Sequence, residues 1–247
     1  MSRRPSAAAA AALAAVTVLV AAAPTPAGSV SGPPLRGEII GESVGHRPLR
    51  IVHVGDPDAP YKVLVVGCIH GNEAAGIAVT RALRHVVPPA GTELLVLDTA
   101  NPDGSTAGTR GNAHGVDLNR NFAWGWRPLT GVFYAGPYPS SEPETRALEA
   151  LILRERPAVS IWFHQHLDWV DLQRGSSVAL MQTYARSSGM RAVRTAVLPG
   201  TVARWENHRL PGHSAFVVEL PTGALSAAGV AAQVRAIRAV SLKDLGA

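Results

Sequence analysis

The hydrophobic positions after Gly37 fall into short dense runs separated by longer mixed stretches. Runs rich in Val, Ile and Leu at 49–54, 62–67, 92–99, 159–163 and 215–220 read as strands. The run Lys62-Val63-Leu64-Val65-Val66 does not alternate with polar residues, which predicts a strand covered on both faces. Residues 74–87 read as a helix stopped by Pro88-Pro89, and 227–245 as a closing helix. Ser141 stands three residues before Glu144, with Pro143 between them, the pattern of a capping box opening a helix that runs to about residue 155. Strands alternating with helices predict an α/β layered domain with a largely parallel sheet. The stretch 101–140 is dense in Gly, Asn, Pro and aromatic residues, and a loop of that length in a compact domain is usually functional.

Composition narrows the classes. Apolar residues make up 47% of the 247, enough for a sizeable core, while 17% charged residues argue against long charged tails. The net charge of +5 falls to +3 once Arg3 and Arg4 are set aside, and no run of Lys and Arg interleaves with aromatics. Nucleic acid is therefore not an expected partner, whereas an anionic surface such as a cell envelope fits the sign of the charge. Cys68 is the single cysteine. It excludes an intramolecular disulfide and a cysteine-ligated structural zinc, and reads as a small buried residue at a strand end.

The N-terminus has the layout of a secretory signal: Arg3-Arg4, an apolar stretch over 7–23, then Pro24-Thr25-Pro26-Ala27-Gly28. The expected organisation is a signal peptide over 1–27, a flexible lead-in over 28–36 and one globular domain over 37–247. The apolar stretch is short and alanine-rich for a membrane span, and no second run reaches spanning length. The mature protein is expected to be secreted or held in the cell envelope, with no stable membrane span.

Four pieces carry chemistry. Gly67-Cys68-Ile69-His70-Gly71-Asn72-Glu73 follows a buried strand, and the three-residue spacing lets His70 and Glu73 aim at one point within a helical turn. Imidazole and carboxylate are suitable zinc donors, although an isolated His-x-x-Glu pair is more often a surface feature. Ile161-Trp162-Phe163-His164-Gln165-His166 brings a histidine out at the end of another apolar strand, where a parallel sheet gathers its ligands. His164, directly after the buried run, is the expected third ligand and His166 its rival. Glu219 lies inside the apolar strand Phe216-Val217-Val218-Glu219-Leu220, where an acid is costly without a partner or a task. It reads either as an arginine-paired strand-end acid or as a general base. Arg110 and Arg120 sit in the long loop among glycines and asparagines, in Thr109-Arg110-Gly111-Asn112 and Val116-Asp117-Leu118-Asn119-Arg120-Asn121-Phe122. Arginine forks bind carboxylates through paired hydrogen bonds, but they also staple loops.

Taken in order, His-Gly-Asn-Glu, Asn101-Pro102-Asp103-Gly104, Thr-Arg-Gly-Asn, Val-Asp-Leu-Asn-Arg-Asn-Phe, the strand-terminal His164 and the late Glu219 resemble the metallocarboxypeptidase family (carboxypeptidase A-like, or funnelins) over roughly residues 60–224. The resemblance implies a three-layer α/β/α sandwich with a mixed, mostly parallel central sheet. It implies one Zn2+ held by His70, Glu73 and His164, and Arg110 polarising the scissile carbonyl. Asn119 and Arg120 would grip the substrate's terminal carboxylate, and Glu219 would act as general base and then proton donor. Within the family the chain is most similar to the compact bacterial branch that includes murein peptide amidases, which cut the γ-D-glutamyl–diaminopimelate bond. The expected partner is thus a peptide or muropeptide with a free carboxylate. The tyrosine that digestive members carry over the substrate has no evident counterpart, Tyr184 being the only tyrosine after residue 138. Two other readings remain. One is an N-acyl amino acid deacylase of the aspartoacylase and succinylglutamate desuccinylase type; the other is an envelope protein that binds zinc or wall peptides without turnover.

Overall fold

The computed structural model describes Met1 and residues 32–242. The expected signal segment, apart from Met1, and residues 243–245 of the expected closing helix lie outside the described residues. The described strands are β1 (Leu35–Glu42), β2 (Pro48–Gly55), β3 (Tyr61–Val66), β4 (Thr92–Leu97), β5 (Val159–Gln165), β6 (Trp169–Asp171), β7 (Arg191–Val193) and β8 (Ser214–Leu220). They form an eight-stranded sheet in the order β1-β2-β4-β3-β5-β8-β6-β7. The centre, β4-β3-β5-β8, is parallel, and β1, β2 and the β6–β8 pairing add antiparallel edges.

Among the described residues six α-helices accompany the sheet: α1 (Gly76–Leu83), α2 (Pro102–Ala107), α3 (Pro143–Glu155), α4 (Val178–Ser188), α5 (Val202–Arg209) and α6 (Ala227–Ser241). The central strands show why their sequence does not alternate. Val63 and Val65 of β3 face one apolar cluster with Val79 and Leu83 of α1, Met181 and Tyr184 of α4, and Ile237 and Val240 of α6. Leu64 and Val66 face a second cluster with Leu148 and Ile152 of α3 and Val202 and Trp205 of α5. Both faces are buried, so each position carries an apolar side chain. The result is the expected three-layer sandwich.

Some local expectations give way. The capping box does not form: α3 starts after Glu142, which caps no backbone N–H. The Ser141 hydroxyl instead donates to Glu142 Oε1 at 2.7 Å, and Glu144 accepts from Val44 N–H and Asn112. Glu144 ties the β1–β2 turn and the long loop to the start of α3, and Glu142 accepts from Asn112 and His114 of that loop. Helix α1 is shorter than 74–87, because residues 70–75 form turns that position side chains. Strand β1 takes in Leu35 and Arg36, which the sequence pattern assigns to the lead-in.

Candidate active site

β3 ends at Val66, and the chain turns before α1. Glu73 N–H donates to the His70 carbonyl at 2.9 Å, closing a turn that puts both side chains on one side. The turn lies close against α2: a Cβ on Gly71 would come within 1.9 Å of the Gly104 carbonyl carbon, so only glycine fits. Buried Cys68 donates its S–H to the His70 carbonyl at 2.9 Å. The spacing argument for His70 and Glu73 therefore holds through a turn rather than through a helix.

β5 brings His164 to the same point. His70 Nδ1 lies 3.0 Å from Glu73 Oε2, His164 Nδ1 lies 3.1 Å from Glu73 Oε2, and the two Nδ1 atoms are 3.1 Å apart. Three donor atoms thus form a nearly equilateral triangle, and among the described residues this is the one such group of His, Cys, Asp or Glu. Tetrahedral zinc with bonds of about 2.0–2.1 Å separates its ligands by about 3.3 Å, so the triangle fits such an ion after a shift of a few tenths of an ångström. A single proton between two ring nitrogens cannot satisfy all three atoms, whereas a cation can. His166, the rival ligand, lies outside the triangle and is exposed.

The surrounding bonds fix each donor. His70 Nε2–H donates to Asp117 Oδ1 at 3.0 Å, which leaves the Nδ1 lone pair facing the triangle. Glu73 Oε1 accepts from Arg110 Nη1 at 3.1 Å, and its Oε2 accepts from Gln165 N–H at 3.1 Å. Arg110 also clasps Asp117 through Nε at 2.9 Å and Nη2 at 2.8 Å. Asn119 Nδ2 lies 3.3 Å from His164 Nε2, while its Oδ1 accepts the first N–H of α5, from Val202, at 3.0 Å. Arg120 is buried and donates to the Asn119 carbonyl at 2.6 Å. The exposed Phe133 ring lies 5.4 Å from the Arg110 guanidinium carbon and 5.2 Å from that of Arg120, a cation–π contact to each.

Charge follows the geometry. Burial pulls both imidazoles toward their neutral forms. It prevails for His164, pushed down to about 4, while the Asp117 and Glu73 hydrogen bonds outweigh it and raise His70. Burial would also raise the carboxyls, yet the His164 and His70 bonds hold Glu73 far below its usual range. Burial likewise opposes the His70 bond at Asp117, and the bond wins, holding it near 2. Glu219 behaves in the opposite way. It sits beside His164 in the β5–β8 register, its Oε2 is buried without a hydrogen-bond partner, and burial together with the Glu73 charge pushes its carboxyl up to about 7. Among the described residues no arginine pairs with it, unlike the strand-end acid the sequence pattern allows.

A cavity of about 360 Å³ opens over the triangle, lined by His70, Glu73, His164, Glu219 and the Arg110, Asn119 and Arg120 side chains. All seven residues singled out in the sequence meet there. The sequence pattern does not single out Asp117, which lies inside the Val-Asp-Leu-Asn-Arg motif and accepts from His70 and Arg110; its signal is the run of polar residues within one short loop. Gln165 was also missed. Its side chain joins Ala75 N–H to the carbonyls of Pro221 and Gly223, so it holds the α1 approach against the loop after β8. Tyr184 is buried in the core and donates to Gln233 at 2.7 Å, with no place at the cavity.

Residues 35–196 match the peptidase M14 family, zinc carboxypeptidase, and the chain belongs to that family of hydrolases. Among its relatives, the murein peptide amidase A of Escherichia coli (strain K12) is 37% identical over 130 residues, 47% of this chain and 53% of that protein. The chain thus spans about half the length of that curated relative. The murein peptide amidase A of Vibrio campbellii (strain ATCC BAA-1116) is 31% identical over 175 residues, 64% of this chain and 68% of that protein. The crystal structure of murein-tripeptide amidase MpaA from Escherichia coli O157 superposes with a TM-score of 0.70 at 26% identity, covering 85% of this chain and 94% of that one. Bovine thrombin-activatable fibrinolysis inhibitor shares the fold, with a TM-score of 0.71 at 17% identity over 84% of this chain and 89% of that one.

Proposed function

We propose that the chain is an exported zinc amidase that cuts cell-wall peptides at a γ-D-glutamyl–diaminopimelate type of bond, next to a free carboxylate. The observation that carries this reading is the donor triangle sharing one cavity with the half-buried Glu219, whose Oε2 is buried without a hydrogen-bond partner, and two arginines. The murein peptide amidase relatives support the substrate class, and the signal-like segment over 1–27 supports export.

His70, Glu73 and His164 would hold the zinc, which supplies a Lewis acid for water and for the scissile carbonyl. Asp117 keeps the His70 proton on Nε2, so that Nδ1 stays available as a donor. Glu219 takes a proton from the attacking water and delivers it to the leaving amine. A carboxyl near neutrality suits both directions of transfer. Arg110 lies across the rim between Glu73 and Asp117 and stabilises negative charge developing on the carbonyl oxygen. Asn119 and Arg120 receive the carboxylate of the leaving residue; Phe133 covers both guanidinium groups and thins the water around them.

The test is digestion of defined muropeptides by zinc-loaded protein, with products read by mass spectrometry. Release of diaminopimelate-bearing fragments from the γ-D-glutamyl bond is the expected result. Hydrolysis of acyl-aspartate with intact muropeptides would move the chain to the deacylase reading, and tight muropeptide binding without products to the non-catalytic one. Export is tested by locating the tagged chain in cell fractions, where a purely cytoplasmic, unprocessed product would overturn that part.

A further inference from the structure

A second cavity shares no lining residue with the catalytic one. It is a groove of about 330 Å³ between α3 and α5, within the size range of small-ligand sites. Ala203, which lines the catalytic cavity, and His208, which lines the groove, stand about 8 Å apart along α5. Trp124 forms one wall. Its ring lies flat on His208, with centroids 3.4 Å apart and planes 11° from parallel, so the indole is held in place while 42% of the residue stays exposed. Buried Trp205 forms the floor and packs on Phe122, and exposed Leu153 of α3 extends the apolar surface. Polar groups stand at the edge. Half-buried Glu149, one helical turn before Leu153, accepts from the Ser140 hydroxyl at 2.9 Å, and burial raises its carboxyl above the usual range. Arg209 ends α5 on the same groove. Among the described residues no ion pair joins Glu149 to Arg209, and no hydrogen bond engages the Arg209 guanidinium.

A pinned aromatic face beside an uncommitted donor and a carboxyl suits a ligand that is apolar on one face and ringed by neutral hydroxyl and amide groups. An apolar peptide segment would cover Glu149 and Arg209 and leave both without partners. An anion would meet Glu149, and a cation Arg209; the two opposite charges leave the groove no net field to select an ion. We propose that this groove binds a saccharide, with the C–H face of a pyranose ring on Trp124 and its hydroxyls donating to Glu149 and accepting from Arg209. That the saccharide is the N-acetylated glycan carrying the wall peptides rests on the proposed function; the stacking site itself does not. Such a site holds the protein on the polymer whose peptide stems it trims, and takes no part in bond cleavage.

The experiment titrates the zinc-loaded full chain with the trisaccharide of β-1,4-linked N-acetylglucosamine, read by calorimetry, and compares Trp124→Ala, Trp124→Phe and Arg209→Ala. Wild type is expected to bind saturably with a millimolar or lower Kd. W124A should weaken binding by about 10-fold, the scale of one lost stacking contact. W124F keeps an aromatic face and should recover most of that loss. R209A should weaken binding by about 3- to 10-fold through a lost hydrogen bond. Zinc stoichiometry and far-ultraviolet dichroism report the fold of each variant, and R209A, a surface change, decides the question should W124A unfold. No saturable binding by wild type overturns the proposal, as do W124A and R209A variants that bind within about twofold of wild type. Self-association in sedimentation that W124A abolishes, without saccharide binding, assigns the groove to a second copy and also overturns it. Saccharide binding by a chain that leaves muropeptides intact keeps the groove and removes the amidase reading. Muropeptide cleavage without saccharide binding removes the groove and leaves that reading standing.

Discussion

Replacing Asp117 by asparagine isolates the group that orients the metal donors without touching a donor. Asp117 Oδ1 accepts from His70 Nε2–H at 3.0 Å and from Asn119 N–H at 2.9 Å, while Oδ2 faces Arg110 Nε and Nη2 at 2.9 and 2.8 Å. Asparagine has one acceptor oxygen, and the two donors at Oδ1 fix it there. Its amide NH2 then points at Arg110, donor against donor, and the negative charge that polarised His70 is gone. Loss of such an orienting partner typically weakens metal binding by about 10- to 100-fold, or roughly 1.4–2.7 kcal/mol. The expected result is a zinc Kd higher by that factor, measured by competition with a chromophoric chelator near neutral pH. The metal-free variant should keep the wild-type far-ultraviolet dichroism, because the asparagine fills the same volume. A zinc Kd within roughly threefold of wild type would refute the claim that this carboxylate sets the basicity of His70.

Glu219→Gln is expected to keep zinc stoichiometry by elemental analysis and to lose about 10²–10⁴ in kcat, the usual range for a lost proton-transfer group; near-native turnover would remove Glu219 from the mechanism. His164→Ala is expected to lose the metal and His166→Ala to retain it, and the reverse pattern would transfer the ligand role to His166. Glu206, buried between α5 and β5, accepts from Ser160 and Trp162, and burial pushes its carboxyl from 4.5 up to about 7. Its folded value lies above its unfolded one, so the stability held by the proton is full below about pH 4.5 and is lost as pH rises through 7. Denaturant unfolding of Glu206→Gln across that window should therefore show the variant gaining on wild type by about 3 kcal/mol, and parallel pH profiles would contradict this.

How much of this was readable in the chain depends on what each element buries. Strands β3, β4, β5 and β8 announce themselves because both of their faces meet helices, which favours apolar residues at consecutive positions. β6 and β7 are three residues long, and β7 is largely exposed, so neither leaves a periodic trace. Helix α5, Val202–Arg209, buries Val202, Ala203 and Trp205 in the apolar core and Glu206 and Asn207 through hydrogen bonds. With Arg, Glu, Asn, His and Arg among its eight residues, its short apolar stripe is masked in the hydrophobic pattern.

The same distinction governs the site. The donors, the general base candidate and the two arginines were legible because each sits at an abrupt change, a charged residue where a buried strand or a glycine-rich turn leaves the core. Asp117 and Gln165 were not, because their roles are relational. Asp117 matters through a histidine 47 positions earlier, and Gln165 through Ala75 and the carbonyls after β8. A sequence marks the places where charge is costly; which neighbours bear that cost is decided by the order of strands in the sheet. Here the order β3-β5-β8 brings His164 beside Glu219 in register and next to the strand whose end leads to His70 and Glu73.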